Sequence, residues 1–420
     1  MKDAKRNPSD VRVVITGMGT INPIGSSVAE FWDNLILGKS GVRHITSFPI
    51  NGFSVQIAGE VDLPDLKPFF KNRKMTRRLD RFVLLSQVAA AEAVKSSGLD
   101  IEKAPDRYGV LIGTGEGGAA TRYFNTKKIV EDGMQSTSPF FVMCIPSTAS
   151  GFCAMEYNLQ GPCFSVNSAC ATGNHAFGVA ASMIRMGMAD AMFTGGAEAV
   201  INPMGLAAFG NIMALSERND SPETASRPFD KDRDGFVLSE AAGVLLLEEL
   251  EHAKRRGATI YAELTGYGFT CDAYDLVAPH PESRGSAQAM QNAMDMANLN
   301  ADQIDLINCH AASTSLGDLA ESKAINLVFK DLALKIPAHS TKSMTGHPLG
   351  AASAVEAIAA ILAIQKGVIH PTINQFEQDP GISLNVVRNK PQEKRVNHVL
   401  SNGFGFGGQN AAVTISRYNG

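Results

Sequence analysis

The stretch Val166-Asn-Ser-Ala-Cys-Ala-Thr-Gly-Asn-His175 predicts a strand, a sharp corner and a helix. An apolar run ends at Ser168, small residues follow it, and a segment rich in Ala, Met and Ile continues to Met188. The corner places Cys170 at the positive end of the helix dipole, where the thiolate form is favoured. Free cysteine is also among the most buried residue types. At this point Cys170 is therefore either a nucleophile or a core side chain.

Composition and charge describe a globular chain with a nearly balanced surface. The 420 residues are 44% apolar and 19% charged, and 38 basic residues face 42 acidic ones, which leaves a net charge of −4. This balance argues against nucleic acid or a membrane surface as a general partner. The first ten residues lack the apolar core of a signal peptide, and no apolar run approaches the roughly 20 residues of a membrane-spanning helix. We expect a soluble, cytoplasmic protein without membrane insertion.

The six cysteines form no C-x-x-C pair. Neither a zinc ribbon nor a disulfide framework is therefore indicated, and a reducing compartment fits best.

The sequence repeats one order of elements in two halves. A strand predicted at 110–112 follows an alanine-rich helix, and a strand at 304–308 follows another. The corner at Cys170 also has a counterpart, because Thr-Gly precedes a helix at 172–173 and again at 345–346. These repeats predict an internally duplicated α/β fold with mainly parallel sheets covered by helices on both faces. We place the two halves at 1–257 and 258–420.

Gly17 and Gly19 close the first predicted strand, residues 11–17, and look like the start of a dinucleotide motif. The third glycine comes only at Gly25, too late for G-x-G-x-x-G, so we reject that interpretation.

Two histidines follow predicted strands or corners of the second half. His310 follows the strand ending at 308, and His347 follows the second corner. Ligands of open α/β sheets gather at the carboxyl ends of strands, so these histidines and Cys170 can converge on one cleft. A histidine alone is more often a hydrogen-bonded structural residue. Metal ligation is a weaker interpretation, because no third imidazole or carboxylate has ligand spacing.

Lys342 stands in an apolar neighbourhood, although lysine is ordinarily exposed. If it is buried, Glu356 on the following helix offers a charge partner. The glycine-rich loop at 402–410 lacks the Gly-Lys-Ser/Thr of a phosphate loop. Its glycines would let a backbone N–H approach a reacting carbonyl, while Phe404 and Phe406 cover the site.

Together these motifs resemble the elongating β-ketoacyl-acyl carrier protein synthases. The resemblance runs in order from about Val11 to Ile415 and includes Arg227-Pro-Phe-Asp-Lys-Asp-Arg-Asp-Gly-Phe236 and Ser340-Thr-Lys-Ser-Met-Thr-Gly-His347. It implies a thiolase-type, five-layer αβαβα fold and a homodimer. It also implies decarboxylative condensation of an acyl thioester with malonyl-acyl carrier protein to give 3-oxoacyl-acyl carrier protein, as in fatty acid elongation. No cofactor is expected.

The resemblance also assigns roles to individual residues. The Cys170 thiolate would take the acyl group as a thioester, and backbone N–H groups of Cys170 and Phe406 would form the oxyanion hole. His310 and His347 would hydrogen-bond the malonyl thioester carbonyl and stabilise the enolate left by loss of CO₂. Supporting positions near the site are Lys342, Glu356, Phe404 and Phe406.

The partner implied by the resemblance, acyl carrier protein, is acidic. A helix predicted over 75–98 would carry apolar residues on one face and arginines on another. The resemblance assigns docking to Lys74, Arg77 and Arg78. The ordinary alternative for such a basic run is a solvated helix face.

Several positions depart from the family pattern. Ala312 removes a hydroxyl expected to hydrogen-bond the pantetheine arm, at a cost of about 0.5–1.5 kcal/mol, whereas Thr314 keeps the other. Glu116 stands where the family has an apolar residue lining the acyl pocket. A buried carboxylate there is costly, so Glu116 is turned to solvent, protonated or facing a polar substrate. Asp275 stands where histidine is common.

Other functions explain fewer of these residues. A biosynthetic thiolase needs a second reactive cysteine near the C-terminus, and none follows Cys309. Initiating synthases of this fold carry Asn where His347 stands, and a cysteine hydrolase leaves one histidine unexplained. A non-condensing partner subunit, such as a chain-length factor, typically lacks the nucleophile Cys170. The strongest rival is a ketosynthase dedicated to a polyketide or polyene pathway, which Glu116 and Ala312 keep open.

Overall fold

The computed structural model of the protein describes residues 7–420. Its strands are β1 (Val13–Ile21), β2 (Arg43–His44), β3 (Ile57–Ala58), β4 (Tyr108–Gly113), β5 (Cys163–Phe164), β6 (Ala191–Ala199), β7 (Glu240–Glu249), β8 (Ala262–Cys271), β9 (Leu306–Asn308), β10 (Pro337–His339), β11 (Val368–Ile369), β12 (Asn385–Val386), β13 (Gln392–Glu393), β14 (His398–Gly405) and β15 (Gln409–Ser416). Its α-helices are α1 (Val28–Leu37), α2 (Arg81–Ser97), α3 (Ala119–Asp132), α4 (Thr148–Tyr157), α5 (Thr172–Arg185), α6 (Pro203–Asn211), α7 (Leu250–Arg255), α8 (Arg284–Met296), α9 (Ser315–Phe329), α10 (Lys342–Thr345) and α11 (Ala352–Lys366).

The main sheet has eleven strands in the order β12-β10-β9-β14-β15-β8-β1-β7-β6-β4-β5. At its centre β1 pairs antiparallel with β8. Counted outward from this pair, the strands on one side are β7, β6, β4 and β5. The corresponding strands on the other side are β15, β14, β9 and β10. Each side runs through two antiparallel and then two parallel pairings. The duplication predicted from the sequence is confirmed by this matching order.

The prediction of mainly parallel sheets is wrong, because the main sheet is mixed. Its antiparallel pairings involve β1, β7 and β6 in one half and β8, β15 and β14 in the other. A short turn joins β14 to β15, and only antiparallel neighbours can be joined in this way.

The helices complete five layers. In the middle layer, α5 and α11 contact strands of both halves of the sheet. On the outer faces, α2 packs on β1, β7 and β6, while α8 packs on β8, β15 and β14. The stretch Leu349–Lys366, which contains α11, is long and apolar enough to cross a membrane, but 89% of it is buried inside the protein. α11 is therefore a helix of the protein core, and it contacts strands from both halves of the sheet.

Glycines let the outer helices lie close to the central strands in both halves. A Cβ on Gly19 of β1 would lie 2.1 Å from the backbone oxygen of Ala89 in α2. In the second half, a Cβ on Gly268 of β8 would lie 2.2 Å from the backbone oxygen of Ala289 in α8. Gly19, which resembled part of a dinucleotide motif, is therefore a packing residue. Gly268 has the same role in the second half.

The helix predicted over 75–98 begins later than expected. Arg73–Arg77 form a 3₁₀ turn, and α2 starts only at Arg81, because the Asp80 carboxylate accepts a hydrogen bond from the Phe82 N–H at 3.1 Å and caps the helix there. The predicted end is confirmed by Gly98, which has a left-handed φ of 57°. The basic residues assigned to docking therefore lie on and just after the 3₁₀ turn, before the helix.

Candidate active site

Cys170 lies in the corner immediately before α5. The strand leading to the corner is shorter than predicted, because β5 ends at Phe164. The Thr172 hydroxyl accepts a hydrogen bond from the Ser168 N–H at 2.9 Å and donates one to the Ala169 oxygen at 2.7 Å. Ala169 has a φ of 49°, a conformation that alanine rarely adopts. These contacts hold the chain in a tight bend that fixes the position of the sulfur.

The glycine-rich loop between β14 and β15 packs against this bend. A Cβ on Gly405 would lie 2.7 Å from the Ser168 oxygen and 3.2 Å from the Cys170 nitrogen, so only glycine allows this approach. The backbone N–H groups of Phe406 and of Cys170 itself both act on the sulfur. Two N–H donors directed at one place are the arrangement that an oxyanion hole requires.

The structure corrects the prediction that the corner favours a thiolate. Cys170 is only 6% exposed, and this burial raises the pKa of its thiol to about 12. The positive charge of Lys342 and the two backbone N–H groups lower the pKa, but they do not outweigh burial. In the free protein at neutral pH the thiol therefore keeps its proton.

The two histidines meet Cys170 at the centre of the molecule. Ring nitrogens of His310 and His347 and the Cys170 sulfur all lie within 4.8 Å of one another. The two ring centroids are 5.2 Å apart. Each Nδ1 atom is buried and has no hydrogen-bond partner among the residues that the structure describes. The residues predicted to converge from both halves of the sequence are thus brought together.

Burial keeps both imidazoles neutral. It lowers the pKa of His310 and of His347 well below the usual range, and the positive charge of Lys342 adds to the effect. A neutral imidazole has one N–H to donate and one nitrogen to accept a proton. A thiol and two imidazoles are also zinc ligands, but the Lys342 charge opposes a cation here.

Lys342 and Glu356 form the predicted buried ion pair. The Lys342 ammonium, at the start of α10, contacts the Glu356 carboxylate on α11. Lys342 is 0% exposed and Glu356 1%. Burial raises the pKa of Glu356, while Lys342 lowers it. Lys342 therefore places a positive charge next to the neutral groups of the site, and Glu356 is its buried counter-charge.

Sequence reasoning missed Glu321, which holds the His310 loop. Its carboxylate accepts the backbone N–H of His310 at 2.8 Å and of Ala311 at 2.6 Å, and it also accepts the Asn402 amide at 2.9 Å. Burial raises the pKa of Glu321 to about 7. One sequence feature could have indicated this role. Glu321 stands on α9 three residues after Asp318, on the helix face that is turned to the core.

The stretch from Arg227 to Phe236 also contacts the loop that contains His310, at positions after the histidine. Arg233 donates to the Thr314 oxygen at 3.0 Å and forms an ion pair with Asp379 at 2.7 Å. The Ser313 hydroxyl accepts the Arg227 N–H at 3.0 Å. This stretch therefore positions the loop, and its last residue, Phe236, packs edge-on against the His347 ring, with 5.3 Å between the ring centroids.

A cavity of about 430 Å³ opens beside the three residues. Its lining includes Cys170, His310, His347, Ala312, Thr314, Phe404, Phe406 and, toward the mouth, Asp275. Glu116 is not part of this lining, and its side chain is exposed in the single chain. Partial burial nevertheless raises the pKa of Glu116, and Arg122 lowers it.

A duplicated five-layer sandwich with a thiol at the first corner and imidazoles from the second half defines a thiolase-fold enzyme of acyl transfer. Two family models match the chain: "Beta-ketoacyl synthase, N-terminal domain" over residues 10–253 and "Beta-ketoacyl synthase, C-terminal domain" over residues 261–376. The protein belongs to the β-ketoacyl synthase family, as its motifs predicted.

Individual relatives agree with this assignment. The chain is 45% identical over 409 residues to "3-oxoacyl-[acyl-carrier-protein] synthase 2" of Coxiella burnetii, covering 97% of this chain and 98% of the relative. Its structure is similar to that of the ishigamide ketosynthase/chain length factor, with a TM-score of 0.91, 36% identity, and coverage of 97% and 100%. A second similar structure is a type II polyketide ketosynthase in complex with its acyl carrier protein, with a TM-score of 0.90, 32% identity, and coverage of 97% and 100%. The predicted fold, family and enzyme class are confirmed.

Breaking the buried ion pair should destabilise the protein strongly. Lys342→Met should lower the free energy of unfolding by about 3–5 kcal/mol, because it leaves the buried Glu356 carboxylate without a counter-charge. The double variant with Glu356→Leu should recover most of that loss. Denaturant unfolding followed by circular dichroism measures both, with the exposed Lys103→Met as control, expected within about 0.5 kcal/mol of the unmodified protein. A single variant as stable as that control would contradict the role of the pair.

Proposed function

We propose that the protein condenses an acyl group bound to Cys170 with malonyl-acyl carrier protein to give 3-oxoacyl-acyl carrier protein in fatty acid elongation. The observation that carries this proposal is the meeting of Cys170, His310 and His347 within 4.8 Å. The name of the Coxiella relative supports the substrate, since that protein is a 3-oxoacyl-[acyl-carrier-protein] synthase.

In the first half-reaction, the Cys170 sulfur attacks the carbonyl carbon of an acyl thioester. A new sulfur–carbon bond forms, the carrier thiolate leaves, and the proton of Cys170 passes to that carrier thiol. Because burial holds this proton on the free enzyme, the neutral imidazole of His310 or His347 carries it between the two sulfurs. The N–H groups of Cys170 and Phe406 stabilise the oxyanion.

In the second half-reaction, malonyl-acyl carrier protein occupies the space in front of the histidines. The carbon–carbon bond to the carboxylate breaks, CO₂ leaves, and the electron pair remains as an enolate whose oxygen accepts N–H bonds from His310 and His347. The carbanion attacks the carbonyl carbon of the Cys170 thioester, so a carbon–carbon bond forms and the carbon–sulfur bond breaks. The cysteine sulfur leaves and takes up from solvent the one proton that the reaction consumes. The Lys342 charge favours the anionic enolate in this buried space.

Acyl carrier protein is the proposed partner, and the 3₁₀ turn Arg73–Arg77 with Arg78 is its proposed docking surface. Lys74, Arg77 and Arg78 are all exposed there. The similar ketosynthase solved with its acyl carrier protein supports a carrier as partner.

A homodimer is proposed from an exposed apolar surface on α3 and the segment after it. Its exposed side chains are Phe124, Val130, Met134, Val142, Met143 and Ile145. Such a concentration of exposed apolar side chains in one segment of the chain is typical of an interface. Sedimentation as a monomer at micromolar concentration would refute this proposal.

We also propose a cytoplasmic location and a division between the sequence halves near Gly257.

Glu116 and Ala312 are proposed to shape acyl selection and pantetheine binding. Glu116 lies outside the cavity of the single chain, so we propose that its contribution to the acyl pocket arises in the assembled dimer. If Glu116→Ile has the same acyl-chain preference as the unmodified protein, Glu116 has no role in acyl selection. Preference for polyketide-type intermediates over saturated acyl chains would instead favour the polyketide or polyene ketosynthase.

The function is tested by incubating the protein with malonyl-carrier and a panel of acyl-carriers, followed by intact-mass measurement. We expect a mass increase equal to one acyl group on Cys170 and a condensed product. Cys170→Ala should lose both, while Cys163→Ala, which removes an exposed cysteine on β5, should keep both. If no acyl-carrier in the panel loads the unmodified protein, the proposal fails.

Docking is tested with Arg77→Glu, which should raise the KM for acyl-carrier about fivefold or more at low salt while leaving kcat nearly unchanged. The effect should fade at high salt, because exposed charges are screened. Lys103→Glu makes the same change in net charge on another exposed turn and should leave the KM unaltered. Equal effects of the two variants would exclude the 3₁₀ turn as the docking surface.

A further inference from the structure

Glu198, near the end of β6, is fully buried and accepts four hydrogen bonds. Its Oε1 accepts the Thr114 hydroxyl at 2.9 Å and the Glu116 N–H at 3.1 Å. Its Oε2 accepts the Gly115 N–H at 2.6 Å and the Gly350 N–H at 3.0 Å. One carboxylate thus holds two loops that come from different halves of the sequence.

Both loops lead directly to reacting residues. The Gly115 oxygen accepts the Asn167 amide at 2.6 Å, and Asn167 stands three residues before Cys170. Gly350 stands three residues after His347. A Cβ on Gly350 would lie 2.4 Å from the Gly115 nitrogen, so the two loops touch through glycines. Glu198 therefore connects the Cys170 corner to the His347 loop by an unbroken path of hydrogen bonds and chain.

The position of Glu198 carries an electrostatic cost. Burial raises its own pKa to about 7, and its charge raises the pKa of Cys170. Glu198 is not in the cavity lining, and both of its oxygens are occupied by donors from the two loops. Glu198 thus opposes ionisation of Cys170 and contacts no reacting atom. Its presence is explained by the two loops that it holds together.

We propose that Glu198 is a positioning residue that sets the Cys170 corner at the separation from the His347 loop that condensation requires. This proposal rests on the proposed function. Acyl loading uses Cys170, its adjacent N–H donors and one neutral imidazole, which His310 can supply, whereas condensation requires both His310 and His347 on the same enolate oxygen. Loss of Glu198 should therefore affect condensation more than loading.

The test compares the two half-reactions in Glu198→Ala. Loading, followed by intact mass, should change less than about threefold, and condensation kcat should fall about tenfold to a hundredfold, the scale of a displacement near 1 Å. Glu198→Gln should recover part of this loss. Its one oxygen can serve the Gly115 and Gly350 donors, while its NH₂ donates to the Thr114 hydroxyl oxygen. The Thr114 O–H and the Glu116 N–H lose their acceptor.

The matched control is Glu248→Gln on the neighbouring strand β7. Glu248 is also a fully buried acid, and it accepts the Thr16 hydroxyl and binds Arg256 away from the site. A purely structural role would lower both half-reactions together with the folded fraction, as expected for Glu248→Gln. An unchanged ratio of condensation to loading in both Glu198 variants overturns the proposal. If Glu198→Ala does not fold, Glu198→Gln alone decides the ratio.

A second readout needs no acyl substrate. Alkylation of Cys170 by iodoacetamide, mapped by peptide mass from pH 7 to 11, should shift to lower pH in Glu198→Gln, because the nearby negative charge is removed. The other charged or titratable groups facing the sulfur, Lys342, His310 and His347, are unchanged in this variant. No shift relative to Glu248→Gln overturns the coupling of Glu198 to the corner. An unmodified protein that is alkylated but never acylated instead refutes the proposed function.

Discussion

The close packing of α5 against α11 is the constraint on which the site depends. A Cβ on Gly173, at the start of α5, would lie 2.8 Å from the backbone nitrogen of Ala354 in α11. Only small residues allow two helices to approach in this way. Each helix follows one of the two corners, so the approach of the helices brings Cys170 and His347 together. The matched halves of the sheet hold this pair of helices between them.

The same burial sets the charge state of the site. It keeps the Cys170 thiol protonated and both imidazoles neutral, and it leaves Lys342, paired with Glu356, as the nearby positive charge. A neutral, preorganised pocket is suited to stabilise an oxyanion or enolate only when it forms. The nucleophile therefore need not be ionised beforehand, provided that a neutral imidazole can relay its proton.

The parts predicted from the sequence are those that local pattern encodes. Cys170, His310 and His347 each follow an apolar run or a small-residue corner, so their place at strand and helix ends could be inferred. The start of α2 was missed because the decisive feature was one side-chain cap, at Asp80. The mixed direction of the sheet was missed because strand composition does not reveal the direction of a neighbour.

Global burial accounts for the remaining errors. The sequence predicted a thiolate at Cys170 from the helix dipole, a local effect, whereas desolvation by the whole fold is larger. Glu198 was overlooked because a single acid in an apolar strand gives no sign of the loops it will bind. The spacing of Asp318 and Glu321 on α9 indicates a shared helix face, but not the loop that Glu321 holds. Their role depends on contacts between residues far apart in the chain.

The central claim is that burial keeps His310 and His347 neutral, so that each can donate one N–H to the same reacting oxygen. Nitrogen-15 NMR of the histidine rings tests it most directly, with assignments from His310→Asn and His347→Asn. The account predicts that both rings retain the shifts of neutral imidazole from pH 5.5 to 8. Titration of either ring near its ordinary pKa of about 6.5 would contradict it.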